Sequence, residues 1–300
     1  MEFLHMLEKI RVPLIDQFML AITTFGEETA LLVIALIVFW CIDKRNGYYI
    51  MSVGFIGSIT NQFMKLWFRI PRPWVRDPSL TVVEGSVEGA GGYSFPSGHT
   101  QTAVGLLGAV AVTTRRRWLC GLSMLGAILV GFSRMYLGVH TPADVLVGAA
   151  QSVLLLLVLH PLIYGHNGKR IPWVLASQIL IAASYLIYVE LLDTTGLDAH
   201  NYESGLKNAY TFIGCTIGLL VVWTADQKLR FSTDALWWGQ LLKVGLGLII
   251  VLAVKEGLRA PLEALCNGHM IARAIRYFLI VVVAGIVWPL TFRFVPKEKK

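Results

Sequence analysis

Apolar segments long enough to be helices in hydrocarbon recur along almost the whole chain, and no other feature limits its fold as strongly. A helix crossing the roughly 30 Å core of a bilayer takes about 20 apolar residues. Nine stretches meet or approach that length: 25–42, 47–68, 99–114, 118–133, 142–164, 172–192, 210–225, 235–254 and 271–292. The first is the weakest, since Glu27 and Glu28 confine its charge-free part to residues 29–42. With 55% hydrophobic and only 15% charged residues, the chain has too little charge to cover a water-soluble domain of its size. The expectation is an all-α polytopic membrane helical bundle of about nine transmembrane helices. It forms one membrane domain over residues 1–300, without internal repeats.

The net charge of +7 does not point to nucleic acid, because the basic residues fall in short clusters between apolar runs rather than in one stripe with aromatics. Positive loops facing an anionic leaflet explain that placement. Sorting lysines and arginines by alternate loops gives nearly even totals. One set, including Lys44, Arg45, Arg115–Arg117, Lys169 and Arg170, occupies loops of a few residues, and short loops weigh most in the positive-inside rule. This places the N-terminus outside the cytoplasm and the C-terminal Lys-Glu-Lys-Lys tail inside. Cys41, Cys120, Cys215 and Cys266 have no metal-ligand or disulfide spacing. Residues 1–21 lack the plan of a cleaved signal peptide, since Glu2, Glu8 and Asp16 interrupt any apolar core. Leu4, Leu7, Ile10, Leu14, Phe18 and Ile22 recur at helical spacing, as in one amphipathic helix lying on the membrane or packed in the fold.

Three polar clusters interrupt this pattern between Lys65 and Asp144, and residues 47–164 form the catalytic core. They are Lys65 to Pro73, Pro96-Ser97-Gly98-His99, and Ser133-Arg134 followed by His140 and Asp144. The first ends one span and the second begins the next. Two further crossings return the chain to the third, so all three reach the same membrane face. The spans 99–114 and 118–133 have sixteen residues each and reach only about 24 Å, which sets the clusters slightly below the membrane surface.

Together the clusters hold three cations, two imidazoles and a carboxylate, the inventory for gripping a phosphoryl group and breaking its ester bond. Lys65, Arg72 and Arg134 suit the phosphate oxygens, the arginines through their planar forks. Ser97, Gly98 and His99 open a helix whose free amides can cradle an anion. Pro142 suits the first turn of another helix, where Asp144 can accept from one ring nitrogen of His140 and leave the other free to attack. Nothing has metal-ligand spacing, so no metal or cofactor is expected. Arg69 and Arg76 read as surface charges.

The pattern Lys-x6-Arg-Pro, Pro-Ser-Gly-His, Ser-Arg-x5-His-x3-Asp resembles the signature of the type 2 phosphatidic acid phosphatase superfamily. That superfamily includes lipid phosphate phosphatases, undecaprenyl pyrophosphate phosphatases, glucose-6-phosphatases and vanadium haloperoxidases. The resemblance covers about a quarter of the chain. It implies that His140 is a nucleophile passing through a phosphohistidine, and that His99 protonates the leaving group and then activates water. The implied activity is metal-independent hydrolysis of a lipid phosphate or pyrophosphate, whether polyprenyl, phosphatidyl or long-chain-base. The alternatives are a soluble sugar phosphate, as in glucose-6-phosphatases, or binding without hydrolysis. Trp67, Trp74, Tyr93, Phe95 and Tyr136 are candidates for lining the substrate groove. Residues 172–292 are additional transmembrane helices: scaffold, a homodimer contact, or the walls of a substrate entrance. The expected location is a bacterial plasma membrane with an extracytoplasmic site.

Overall fold

The computed structural model describes residues 1–88 and 90–297. The last three residues of the basic C-terminal tail lie outside the described residues. Every described element is helical: α1 (Glu2–Glu8), α2 (Pro13–Thr23), α3 (Glu28–Cys41), α4 (Lys44–Phe68), α5 (Pro73–Arg76), α6 (Gly98–Thr113), α7 (Arg117–Tyr136), α8 (Pro142–Tyr164), α9 (Ile171–Glu190), α10 (Ala199–Leu229), α11 (Trp237–Gly257), α12 (Arg259–Leu265) and α13 (Ile271–Val282). Five helical stretches are long and apolar enough to cross a membrane, or six if the bent pair Pro13–Gly26 and Glu28–Cys41 is one span. Three helices in expected spans fall outside that set. Of these, α6 has only 16 residues, α4 carries Lys44, Arg45 and Lys65, and α11 carries Lys243, Lys255 and Glu256. On α7 and α8, Leu122, Leu125, Ile128, Leu146, Leu154 and Leu157 are all more than half exposed. An apolar exterior of this kind suits helices solvated by lipid, and the chain is an integral membrane protein.

Helix ends differ from the hydropathy boundaries wherever hydrogen bonding outruns apolarity. α7 continues through Arg134 to Tyr136, and α10 starts at Ala199, inside the polar stretch expected to be a loop. The expected N-terminal helix is two helices, because Pro13 starts α2. Leu4 and Leu7 are buried, whereas Ile10, Leu14 and Phe18 are exposed.

The chain divides into two compact units. In the unit of Met1–Leu32, Ile56–Leu159 and Asp193–Gly205, α7 packs against α6 and α2. Arg11 donates to the carbonyls of Tyr136 (2.9 Å) and Thr81 (2.8 Å), and the Tyr136 hydroxyl donates to Asp16 (2.7 Å). A cation on the Tyr136 carbonyl complements the negative end of α7. Met19, Val83, Ala90, Tyr136, Leu137 and Val139 form a buried cluster against Trp74 and Phe132. Each large side chain buried there contributes about 1.5–3 kcal/mol. The cluster therefore anchors the turn that leads to His140. Gly138 in that turn has φ +83°, and a Cβ on it would lie 2.9 Å from Arg11 Nη2. α8 passes the start of α6 at Gly148, where a Cβ would lie 2.6 Å from the Ser97 carbonyl oxygen.

In the unit of Val33–Phe55, His160–Leu192 and Leu206–Lys300, indole N–H groups tie helices through the backbone. Trp40 Nε1 donates to the Ala284 carbonyl (2.8 Å) and Trp288 Nε1 to that of Lys243 (3.0 Å). After α13 the chain passes through one wide turn, Val283–Val287, and a tighter one, Pro289–Phe294. Gln178 donates to Ser52 (2.8 Å), and Lys44 pairs with Asp226 (2.5 Å). These buried polar atoms thus have partners where lipid offers none.

Candidate active site

Lys65 stands in the last turn of α4, where a side chain of its length could instead have reached for water. It is buried, and its Nζ donates to the Tyr93 carbonyl at 2.5 Å. Arg72 caps the start of α5 and is also buried. Its Nε donates to the Gly92 carbonyl (3.0 Å), Nη2 to that of Gly91 (2.7 Å) and Nη1 to that of Val139 (3.2 Å). The loop after α5 thus fixes the guanidinium. Burial lowers Arg72 to about 10, against the pull of Asp144, so it remains cationic at neutral pH.

The same Nη1 lies 2.8 Å from His140 Nε2. A guanidinium only donates, so Nε2 is the accepting, unprotonated nitrogen and the ring proton belongs on Nδ1. Nδ1 faces Asp144 Oδ2 at 3.5 Å, too long for a hydrogen bond but on the side where the carboxylate selects this tautomer. Asp144 Oδ2 accepts from Ser94 Oγ (2.7 Å) and from the Thr141 amide (2.8 Å), while the Thr141 hydroxyl receives the Asp144 amide (3.4 Å). Thr141 and Asp144 therefore form a reciprocal cap for α8. Burial first, then the positive charges of Arg72 and Lys65, hold His140 well below the ordinary imidazole range. The expected hydrogen bond between His140 and Asp144 is not formed, although Nδ1 faces the carboxylate, and the nitrogen expected to be free faces Arg72.

Arg134 is almost wholly buried in the last turn of α7. Nη1 donates to Thr23 Oγ1 (2.8 Å), while Nε and Nη2 have no acceptor among the described protein atoms. Two buried charged donors aimed at no protein group are costly unless an anion meets them. His99 is half-buried at the start of α6. With Lys65, Arg72, Gly98, Asn61 and His140 it lines a cavity of about 250 Å³, enough for a phosphate head group.

Ser97 departs from expectation. Its amide donates to the Asp144 carbonyl (3.0 Å), and its hydroxyl accepts from Thr100 Oγ1 (2.9 Å). Its hydroxyl oxygen caps α6 and its amide is already engaged, while the amides of Gly98 and His99, the first two of the helix, have no intrahelical acceptors. None of the five aromatics expected near the groove lines the cavity; Tyr136 is core, and Tyr93 contributes only its carbonyl. Arg69 and Arg76 are exposed, as expected.

Several residues escaped sequence reasoning. Ser94 and Thr23 hold Asp144 and Arg134 from segments with no motif, and nothing local marks them. Asn61 does carry a signal: it sits one turn before Lys65 in an apolar span, where a polar side chain suggests function. Glu27 and Glu28 also line the cavity, bringing negative charge to a site otherwise built from cations. Among the described residues no three His, Cys, Asp or Glu side chains cluster as metal ligands.

The model of the PAP2 superfamily matches residues 46–167, and that of the PAP2 superfamily phosphatase, transmembrane extension, matches residues 210–300. Phosphatidylglycerophosphatase B of Bacillus subtilis is 30% identical over 159 residues, 49% of this chain and 74% of that protein. An undecaprenyl-diphosphatase of the same organism is 28% identical over 143 residues, 47% of this chain and 71% of the relative. Mouse sphingosine-1-phosphate phosphatase 1 is 25% identical over 240 residues, 72% of this chain but 53% of the relative. No solved structure matches the chain significantly.

Proposed function

The chain belongs to the PAP2 superfamily and is a membrane phosphoric ester hydrolase, and from that premise we propose that it removes phosphate from a lipid phosphate or pyrophosphate without a metal, through a phosphohistidine on His140. The observation that carries this reading is the His140 imidazole with Nδ1 facing Asp144 and Nε2 against Arg72, in a cavity lined by Lys65 and His99.

A phosphoryl group entering the cavity meets Lys65, Arg72, the two free donors of Arg134 and the amides of Gly98 and His99. As its oxygens draw Arg72 away, Nε2 of His140 is uncovered. Nε2 attacks phosphorus, the bond to the leaving oxygen breaks, and His99 gives that oxygen its proton. Asp144 stabilises the positive charge that develops on the ring. In the second half, His99 takes a proton from water as the water oxygen attacks phosphorus. The N–P bond breaks, inorganic phosphate leaves and His140 regains its lone pair.

Lipid substrates fit a site among apolar helices, and the named activities of the relatives include phosphatidyl, polyprenyl and long-chain-base phosphates. The wider reading keeps nine crossings, the N-terminus outside and the cavity on the extracytoplasmic face of a bacterial plasma membrane. Short basic loops support that orientation. The deciding experiment is phosphate release by the full chain in detergent with EDTA, offering phosphatidylglycerol phosphate, undecaprenyl pyrophosphate, sphingosine 1-phosphate and glucose 6-phosphate. Release from a lipid, with acid-labile phosphate trapped on wild type but not on His140→Ala, is expected. Loss of activity in EDTA with recovery on adding a divalent metal would overturn the mechanism, and a preference for glucose 6-phosphate would overturn the substrate class.

A further inference from the structure

A second cavity, of about 330 Å³, lies where α10 ends and the last helical turns close, and it shares no lining residue with the first. Arg230, Arg293 and Lys297 bring three positive charges to it, while Phe231, Leu290 and Phe292 supply much of its apolar wall. No carboxylate lines it among the described residues. Two acids close by in the sequence are otherwise engaged: Asp226 pairs with Lys44 at 2.5 Å, and Asp234 accepts from the Ser232 hydroxyl at 3.4 Å. Arg230 donates from Nε only to the Gln227 carbonyl (3.3 Å), and Arg293 stacks on Phe294 at 4.7 Å.

A fourth cation adds to the field. Lys243, fully buried, lies 4.6 Å from the Phe292 ring centre, and its Nζ is held by backbone carbonyls, nearest that of Thr233 at 2.9 Å. Cations gathered around apolar walls, with no carboxylate among the described lining residues, repel one another, and an anion relieves that repulsion. Two apolar stretches long enough to be spans, Ala199–Leu229 and Ile271–Phe294, both terminate at this cavity. The depth is that of a membrane–water boundary, where the anions at hand are lipid head groups.

We propose that this cavity binds the head group of an anionic phospholipid from the surrounding bilayer, with the arginine forks on the phosphodiester and the apolar walls against the glycerol and upper acyl chain. Charge complementarity selects the occupant: a zwitterionic lipid brings no net negative charge to relieve the repulsion, and a free phosphate leaves the apolar walls unfilled.

The test measures the thermal unfolding midpoint of the detergent-purified full chain with phosphatidylserine, phosphatidylcholine or inorganic phosphate. Phosphatidylserine is a diester, so it is not a substrate of the chemistry proposed above. A rise of roughly 3–6 °C is expected with phosphatidylserine. It should be absent with phosphatidylcholine and inorganic phosphate, lost in the triple variant Arg230→Gln/Arg293→Gln/Lys297→Gln, and kept in His140→Ala. An equal rise with phosphatidylcholine, a rise that survives the triple variant, or an equal and equally variant-sensitive rise with inorganic phosphate would overturn the proposal. If the triple variant does not fold, Arg293→Gln and Lys297→Gln decide singly, each expected to reduce the rise by about half.

Discussion

The molecule gathers cations twice, in opposite ways. Lys65, Arg72 and Arg134 are buried and oriented by named acceptors, among them Tyr93, Gly91, Gly92 and Thr23. Arg230, Arg293 and Lys297 are exposed, and no carboxylate lines their cavity among the described residues. Fixed cations can be complementary to one charge distribution, such as that of a transition state. Mobile, solvated ones attract anions with little geometric demand. Preorganisation therefore separates a reacting site from a docking site of the same sign.

The largest break in that contrast should come from Arg134. Arg134→Gln removes two buried donors that have no protein acceptor and should lower kcat/KM by about 10³-fold, with Arg134→Lys recovering no more than roughly tenfold of it. Arg293→Gln, by comparison, should leave kcat/KM within about twofold. Equal losses at the two positions would erase the distinction.

Ser94→Ala tests whether orientation, as well as charge, defines the buried site. Without its 2.7 Å bond the Asp144 carboxylate loses a charge-assisted partner, and kcat should fall about 10- to 100-fold with KM little changed. A fall in the unfolding midpoint with unchanged kcat would make Ser94 structural only.

The pH profile sharpens the same point. The folded pKa of His140 is depressed, so its neutral, nucleophilic form persists to lower pH than in a free imidazole. The acid limb of kcat/KM should therefore lie below about pH 6.5. A limb assigned to His140 at or above that value would contradict the burial described here.

Salt should separate the two regions in the other direction. With a screening length near 10 Å at 0.1 M and about 3 Å at 1 M, added salt should reduce the phosphatidylserine effect several-fold while changing kcat little.

The smallest effect concerns an exposed cluster that ties α1 to the loop after α5. His5 lies 2.9 Å from Asp77 and 3.0 Å from Glu8, and Glu8 accepts from the Thr81 amide (3.1 Å). Hydrogen bonds from Thr81 and His5 lower Glu8 to about 2, those from Ser79 and His5 lower Asp77 to about 2, and Asp77 and Glu8 raise His5. The depressed acids stabilise above their unfolded pKa near 4, an effect lost as pH falls toward 2. The raised His5 stabilises below its unfolded pKa near 6.5 and loses that effect as pH rises through its folded value. The difference in unfolding midpoint between wild type and His5→Ala should be greatest between about pH 4 and 6.5 and shrink on either side.

The sequence alone determined that the chain is a helical membrane protein, because hydropathy is summed over many residues and tolerates local exceptions. It also put Lys65, Arg72, His99, Arg134, His140 and Asp144 forward as one set, because charge among apolar spans is costly and their spacing is distinctive. What it left open was how each atom is used. The Ser97 amide looked free for an anion and is engaged instead, since only the fold brings the Asp144 carbonyl to it. Ser94, Thr23 and the Gly91–Gly92 carbonyls come from stretches whose chemistry is backbone or a single hydroxyl, which leaves no pattern in a sequence. The second basic cavity was equally hidden, because Arg230, Arg293 and Lys297 are ordinary loop charges until the helices that separate them in sequence bring them to one wall. Periodicity and composition fix which residues must leave water. Which donor meets which acceptor depends on distances of a few tenths of an ångström, and only the packed chain decides them.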